Sequence, residues 1–183
     1  FACRKAAEIL ENTEHIVAPS GSCVAFVKRH LPSLFGPGSD EHRDATAIAA
    51  RVHEFSEFLV CVLGKDDVGA AFPHPVTYHD SCHLLRELGV KDEPRRLLGH
   101  VRGLELVEMP ASDTCCGFGG VFSIKQPDIS TAMGEDKLGN LRRSGVEYLV
   151  ACDTGCLMHL RGLISRRGMK MKALHLAEIL GGS

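Results

Sequence analysis

EYLVACDTGC, residues 147–156, is a short apolar run with a β-branched valine that stops at a polar turn and meets a cysteine at the head of a helical stretch. EHIVAPSGSC, residues 14–23, has the same construction, and in each stretch the cysteine, Cys156 or Cys23, falls nine residues after the opening glutamate. A strand that feeds directly into a helix is the building unit of α/β proteins. Further strand signals are VTYHDS from Val76, LELVEMP from Leu104 and MKALHL near the end. Between them lie helical patterns. One spans residues 45–64, with Ile48, Val52, Phe55, Leu59 and Val62 at helical spacing and Gly64 as a stop. Another runs from Ile129 to Arg143 and ends at a glycine cap, Gly145. The alternation predicts an α/β fold with mainly parallel sheets and flanking helices. Residues 34–44, LFGPGSDEHRD, read as a loop, and residues 64–75 as a linker.

The linker separates two halves that repeat each other. FSEFL around Glu57 matches LAEIL around Glu178, and RKAAEILENT ahead of the first strand matches DKLGNLRRSG ahead of the second. One internal duplication accounts for these matches, with residues 1–68 as the C-terminal part of a first repeat and 69–183 as a complete second repeat. The second repeat carries a cysteine pair 21 residues before Lys137. Aligning Lys5 with Lys137 puts the corresponding pair ahead of Phe1, so the chain reads as N-terminally incomplete.

Composition narrows the function. The 183 residues are 44% hydrophobic, enough for a buried core. Twenty-one basic against 23 acidic residues give a formal charge of -2, which argues against nucleic acid as a partner. No apolar run approaches the roughly 20 residues of a spanning helix, and FACRKAAEIL lacks a signal-peptide core, so a cytoplasmic protein without membrane insertion is expected. In that compartment eight cysteines point to metal or redox chemistry rather than a disulfide scaffold.

Four of the cysteines follow strand ends in the second half. Cys82 follows VTYHDS, the adjacent pair Cys115 and Cys116 follows LELVEMP, and Cys156 follows EYLVA. In a parallel sheet these ends share one edge, where sites in open α/β folds are built. Neighbouring residues rarely bridge each other, since their Cα atoms lie about 3.8 Å apart and an unstrained disulfide needs roughly 4.4–6.8 Å. Four converging thiolates suit Zn²⁺ or an iron–sulfur cluster. Adjacent cysteines would strain a chelate on one zinc, whereas a cluster offers each thiolate its own iron, which favours iron and sulfide. Gly117, Gly119 and Gly120 allow close backbone approach to such a group.

HDSCHLLRELG, TCCGFGGVFSIKQP and DTGCLMHLRG, with HLAEIL beyond, resemble the cysteine-rich CCG domain of the heterodisulfide reductase group. That group includes the iron–sulfur subunit of glycolate oxidase and the lactate-utilisation protein A family, and the resemblance is strongest to the last. It covers nearly the whole chain and implies two CCG motifs, with Cys23 a ligand of the first-repeat site only together with a segment ahead of this chain. It further implies a 4Fe-4S cluster on Cys82, Cys115, Cys116 and Cys156, and electron transfer in a cytoplasmic complex oxidising L-lactate to pyruvate. The implied partners are a ferredoxin-like iron–sulfur protein and a third small subunit. In the heterodisulfide reductase branch the motif ends Cys-x-x-Cys; here Asp153 takes the first position, which argues for four cysteine ligands rather than five.

Other readings stay open. A glycolate oxidase subunit differs in its hydroxy acid and in having a flavin partner, a zinc-binding structural module would use the same cysteines without redox, and a thiol–disulfide enzyme needs an exposed low-pKa cysteine. Cys152 has Pro19 as its repeat counterpart and reads as a small buried residue, and Cys3 and Cys61 as ordinary helix residues. His79, His83 and His159 are each as well explained by packing as by tuning of the centre. Arg95-Arg96 reads as a solvated helix face. Gly117-Phe118-Gly119 fails as a nucleotide loop because Phe122 stands where the third glycine belongs. No catalytic residue is legible from spacing.

Overall fold

The computed structural model describes residues 5, 9, 10 and 12–182. EHIVA yields β1 (Ile16–Ala18), followed by α1 (Gly21–Ala25), α2 (Asp40–Ala49), β2 (Val52–Glu54) and α3 (Phe55–Glu57). α1 and α3 each widen into a π turn, at Phe26–His30 and Phe58–Val62. The five-residue bonds are Leu31 N to Phe26 O and Leu63 N to Phe58 O, both 2.9 Å. The second half runs β3 (Pro75–His79), α4 (Cys82–Arg86), α5 (Asp92–Gly99), β4 (Glu105–Leu106), α6 (Val121–Lys125) and α7 (Pro127–Ser144). It closes with β5 (Tyr148–Ala151), α8 (Thr154–Arg166), β6 (Lys172–His175) and α9 (Leu176–Leu180). The expected helix ending at Gly145 is α7, with proline in its first turn and Gly145 at φ 72°.

Every strand pairing is parallel. β1 pairs with β2, and the second sheet has the order β4-β3-β5-β6. From β3 the chain first builds β4 on one side and then crosses to build β5 on the other. The strand order therefore reverses between β3 and β5, and a crevice opens beyond their carboxyl ends. Helices cover both faces. Leu84, Leu97, Leu98, Leu176 and Ile179 pack over Val76, Tyr78 and Val150, while Leu138, Leu141, Leu157, Leu160 and Leu163 pack over Leu149, Ala151 and Ala173. With both faces buried, β5 has no polar side and reads as the continuous run YLVA.

The helix expected over residues 45–64 does not form. α2 ends at Ala49, and Val52–Glu54 instead pairs with Ile16–Ala18, satisfying backbone groups that β1 would otherwise leave unpaired. Glu54 then caps α3: its carboxylate accepts from Ser56 N and Glu57 N, and Glu57 reaches back to Glu54 N. The apolar stripe identified buried residues correctly, since Ile48 and Val52 share a core with Val24 and Ala45, but not the backbone between them. The loop expected over 34–44 ends early, at Ser39, whose Oγ accepts from His42 N at the start of α2. LELVEMP forms a strand only at Glu105–Leu106.

The order β1–α1–α2–β2–α3 parallels β5–α8–β6–α9, with α1 and α2 where the second half has the single helix α8 and with a second capping box at His175 and Glu178. α1 packs against the second half: Gly21 N donates to Cys152 O (3.2 Å) and Ser22 N to Asp153 Oδ2 (2.8 Å). A Cβ on Gly21 would lie 2.7 Å from Leu84 Cβ, so only glycine permits this approach.

Candidate metal centre

The crevice between β3 and β5 is where the cysteines meet. Cys82 opens α4, Cys156 sits in the first turn of α8, and Cys115 and Cys116 lie on the loop between β4 and α6. Cys82 Sγ is 4.0 Å from Cys115 Sγ. A ring nitrogen of His79 and the sulfurs of Cys116 and Cys156 all lie within 4.8 Å of one another, and all three residues are buried. The four thiols are free. They line a cavity of about 300 Å³ with Ser22, Phe26, His83, Phe118, Gly119, Gly120 and Asp153.

Local structure fixes each sulfur. Asp153 caps α8, its Oδ1 accepting from Gly155 N (3.0 Å) and Cys156 N (3.2 Å). Gly117 turns the loop at φ 92°; a Cβ there would meet the Ser130 carbonyl oxygen at 2.4 Å. Its N–H donates to Cys115 Sγ (3.4 Å), and its carbonyl accepts from Ser130 Oγ (2.8 Å). Upstream, the buried Lys137 ammonium donates to Ala111 O (2.9 Å) and Ser112 O (3.1 Å). Burial pushes the Lys137 pKa down. Asp80 ties the same loop to β3: its N–H donates to Ser112 O, Ser112 Oγ donates to its carboxylate, and Arg95 clamps it with two 2.8 Å bonds.

The thiols share protons. Hydrogen bonds from Cys116 and then Cys82 lower Cys115 to about 2, and the bond with Cys116 lowers Cys156 to about 6. Cys82 is pushed up, first by its bond to Cys115 and then by burial, and Cys116 is pushed up by its bonds to Cys115 and Cys156. The anionic form is thus favoured at Cys115 and Cys156 over their partners, and a metal that displaced the protons of all four would gain four anionic ligands.

Of the residues singled out in the sequence, Cys82, Cys115, Cys116 and Cys156 come together and Cys23 does not join them; it is exposed on α1. Cys152 is buried just beyond β5, and Cys61 is exposed with its Sγ 3.6 Å from Glu93. Cys3 lies outside the described residues. His79 is buried in the site; His83 is half exposed, with its Nδ1 3.7 Å from Cys82 Sγ. His159 sits beside Phe118, their ring centroids 6.1 Å apart, and burial lowers its pKa. The reading of Arg95-Arg96 as a solvated face fails for Arg95, which pairs with Asp80 and Glu108. Arg96 remains outward, on Asp66. Lys137 and Asp80 had no signal as site residues beyond their spacing from the cysteine motifs.

A cysteine-rich domain family matches residues 76–161, which hold all four converging cysteines and His79. Lactate utilization protein A of Oceanobacillus iheyensis is 46% identical over 170 residues, covering 93% of this chain and 69% of that protein. The Geobacillus kaustophilus protein of the same name is 44% identical, covering 92% and 70%, and that of Bacillus subtilis 40% identical, covering 98% and 75%. The chain belongs to the lactate utilization protein A family. Among the described residues of this family member, no helix is long and apolar enough to cross a membrane.

Proposed function

We propose that this chain is an iron–sulfur electron-transfer subunit of a cytoplasmic complex that oxidises L-lactate to pyruvate. The observation that carries the reading is the meeting of four free cysteine sulfurs, from three strand ends, around one cavity at the point where strand order reverses. The relatives' names supply lactate. Cys82, Cys115, Cys116 and Cys156 would hold the cluster, most simply 4Fe-4S, which supplies one-electron storage when bound. The Gly117 N–H steadies the Cys115 sulfur, Asp153 orients Cys156, and Phe26 and Phe118 wall the cavity with apolar surface. The half-exposed Cys82 and Cys115 give electrons a short way to the surface. A ferredoxin-like iron–sulfur protein and a third small subunit complete the complex. Residues 1–68 are the C-terminal part of a first repeat and 69–183 a complete second one, and Cys23 belongs to the first repeat's site.

One observation favours a second reading. A tetrahedral zinc with Zn–S bonds of about 2.3 Å has sulfurs about 3.8 Å apart, close to the 4.0 Å between Cys82 and Cys115. Iron, zinc and acid-labile sulfide per chain, measured on protein purified without oxygen, separate the two. About four iron and four sulfide, lost on Cys115→Ser or Cys116→Ser, support the cluster. One zinc without sulfide refutes it.

A further inference from the structure

We propose that His79 is a protein ligand of this centre, adding a nitrogen donor to the four cysteine sulfurs. Its side chain is fully buried, and neither Nδ1 nor Nε2 makes a well-formed hydrogen bond, the Cys156 thiol being the one group close enough to interact with the ring. A buried polar group left unpaired costs about 1–3 kcal/mol, so an imidazole with no well-formed bond at either nitrogen calls for a better partner than the Cys156 thiol alone provides. One ring nitrogen lies within 4.8 Å of both the Cys116 and the Cys156 sulfur, the spacing of donors around a common metal.

The backbone makes this placement firm. His79 ends β3 in register with Ala151 of β5, at the centre of the sheet, and the strand-to-helix turn that follows delivers Cys82 three residues later. The other histidines near the cavity are less well placed. His83 is half exposed and lies 3.5 Å from the Glu87 carboxylate, and His159 packs beside Phe118. A neutral nitrogen donor at this position also leaves the centre less negative than a cysteine thiolate in its place would. Where histidine replaces cysteine in two-iron centres the potential rises, so His79 would favour the reduced state.

The assignment rests on the metal-centre reading but not on which metal is bound. X-ray absorption at the edge of the metal found in the anaerobically purified full chain tests it. The expected result is a nitrogen shell at about 2.0–2.1 Å beside sulfur at about 2.3 Å. That shell is lost in His79→Ala and kept in His83→Ala. His79→Cys retains metal and replaces the nitrogen shell by sulfur, which covers the case in which the alanine variant fails to fold. Metal bound by sulfur alone in the wild type, or an unchanged nitrogen shell in His79→Ala or His79→Cys, overturns the assignment while leaving the centre intact. A wild-type chain without metal overturns both.

Discussion

Asp153 does two jobs with two oxygens, and substitution can separate them. Oδ1 caps α8 at Gly155 and Cys156, while Oδ2 accepts from Ser22 N at 2.8 Å, joining the first half to the second. Asparagine keeps one oxygen and is as good an N-cap as aspartate. With that oxygen turned to α8, its amide nitrogen faces the Ser22 N–H, so a charge-assisted bond worth about 1.5–3 kcal/mol is lost. Alanine loses this bond and the cap as well, a further 0.5–2 kcal/mol or so, for a total of roughly 2–5 kcal/mol. Urea unfolding of metal-free protein reads the difference. With a slope of about 2 kcal/mol per molar, Asp153→Asn lowers the midpoint by about 1 M and Asp153→Ala by up to about twice that. An asparagine variant as stable as the wild type refutes the contact between halves. One as unstable as the alanine variant refutes the separation of roles.

Gly117→Ala places a methyl against the Ser130 carbonyl in a positive-φ conformation; it lowers the melting temperature and removes bound metal, read by metal content. Burial pushes the Asp80 carboxyl upward, but hydrogen bonds from Arg95 and Ser112 outweigh it and hold the group below its ordinary range. Its contribution to stability is therefore present above about pH 4 and lost as pH falls through the folded value. Asp80→Asn destabilises the neutral protein by about 3 kcal/mol and flattens the acid limb of a pH–stability profile; an unchanged acid limb contradicts this. Cys82→Ser abolishes metal binding while Cys23→Ser leaves this centre loaded, and equal metal loss in both would show that the two halves share one site.

The sequence was legible where a local signal coincided with a long-range one. YLVA could be read as a strand because both sheet faces are buried, and the cysteines could be placed at one edge because parallel strands share their ends. β2 escaped because Ile48, Val52 and Phe55 fit a helical period by chance over three contacts, while VHE is too short to show alternation. The duplication contained the missing signal: α9 follows the strand KALH, so the matching FSEFL should also follow a strand. Lys137 and Asp80 escaped for a different reason. Their partners are the carbonyls, hydroxyl and guanidinium of a loop and helix 15 to 32 residues distant, with no spacing rule to connect them. Arg95 looked like surface charge because pairing alone does not reveal that its partner is buried.

Cys115 also borders a second hollow, on the outer side, formed with Thr114, Met133, Glu135, Asp136, Gly139, Asn140 and Arg143. Cys115 therefore borders both hollows, whereas Cys116 and Cys156 are buried and line only the inner of the two. Corrosion of the centre follows that asymmetry: oxidants arrive at Cys115 first, and sulfenate or mixed disulfide accumulates there and at Cys82 before the interior pair is touched. The most accessible sulfur of the site is thereby the weak seal through which oxygen enters.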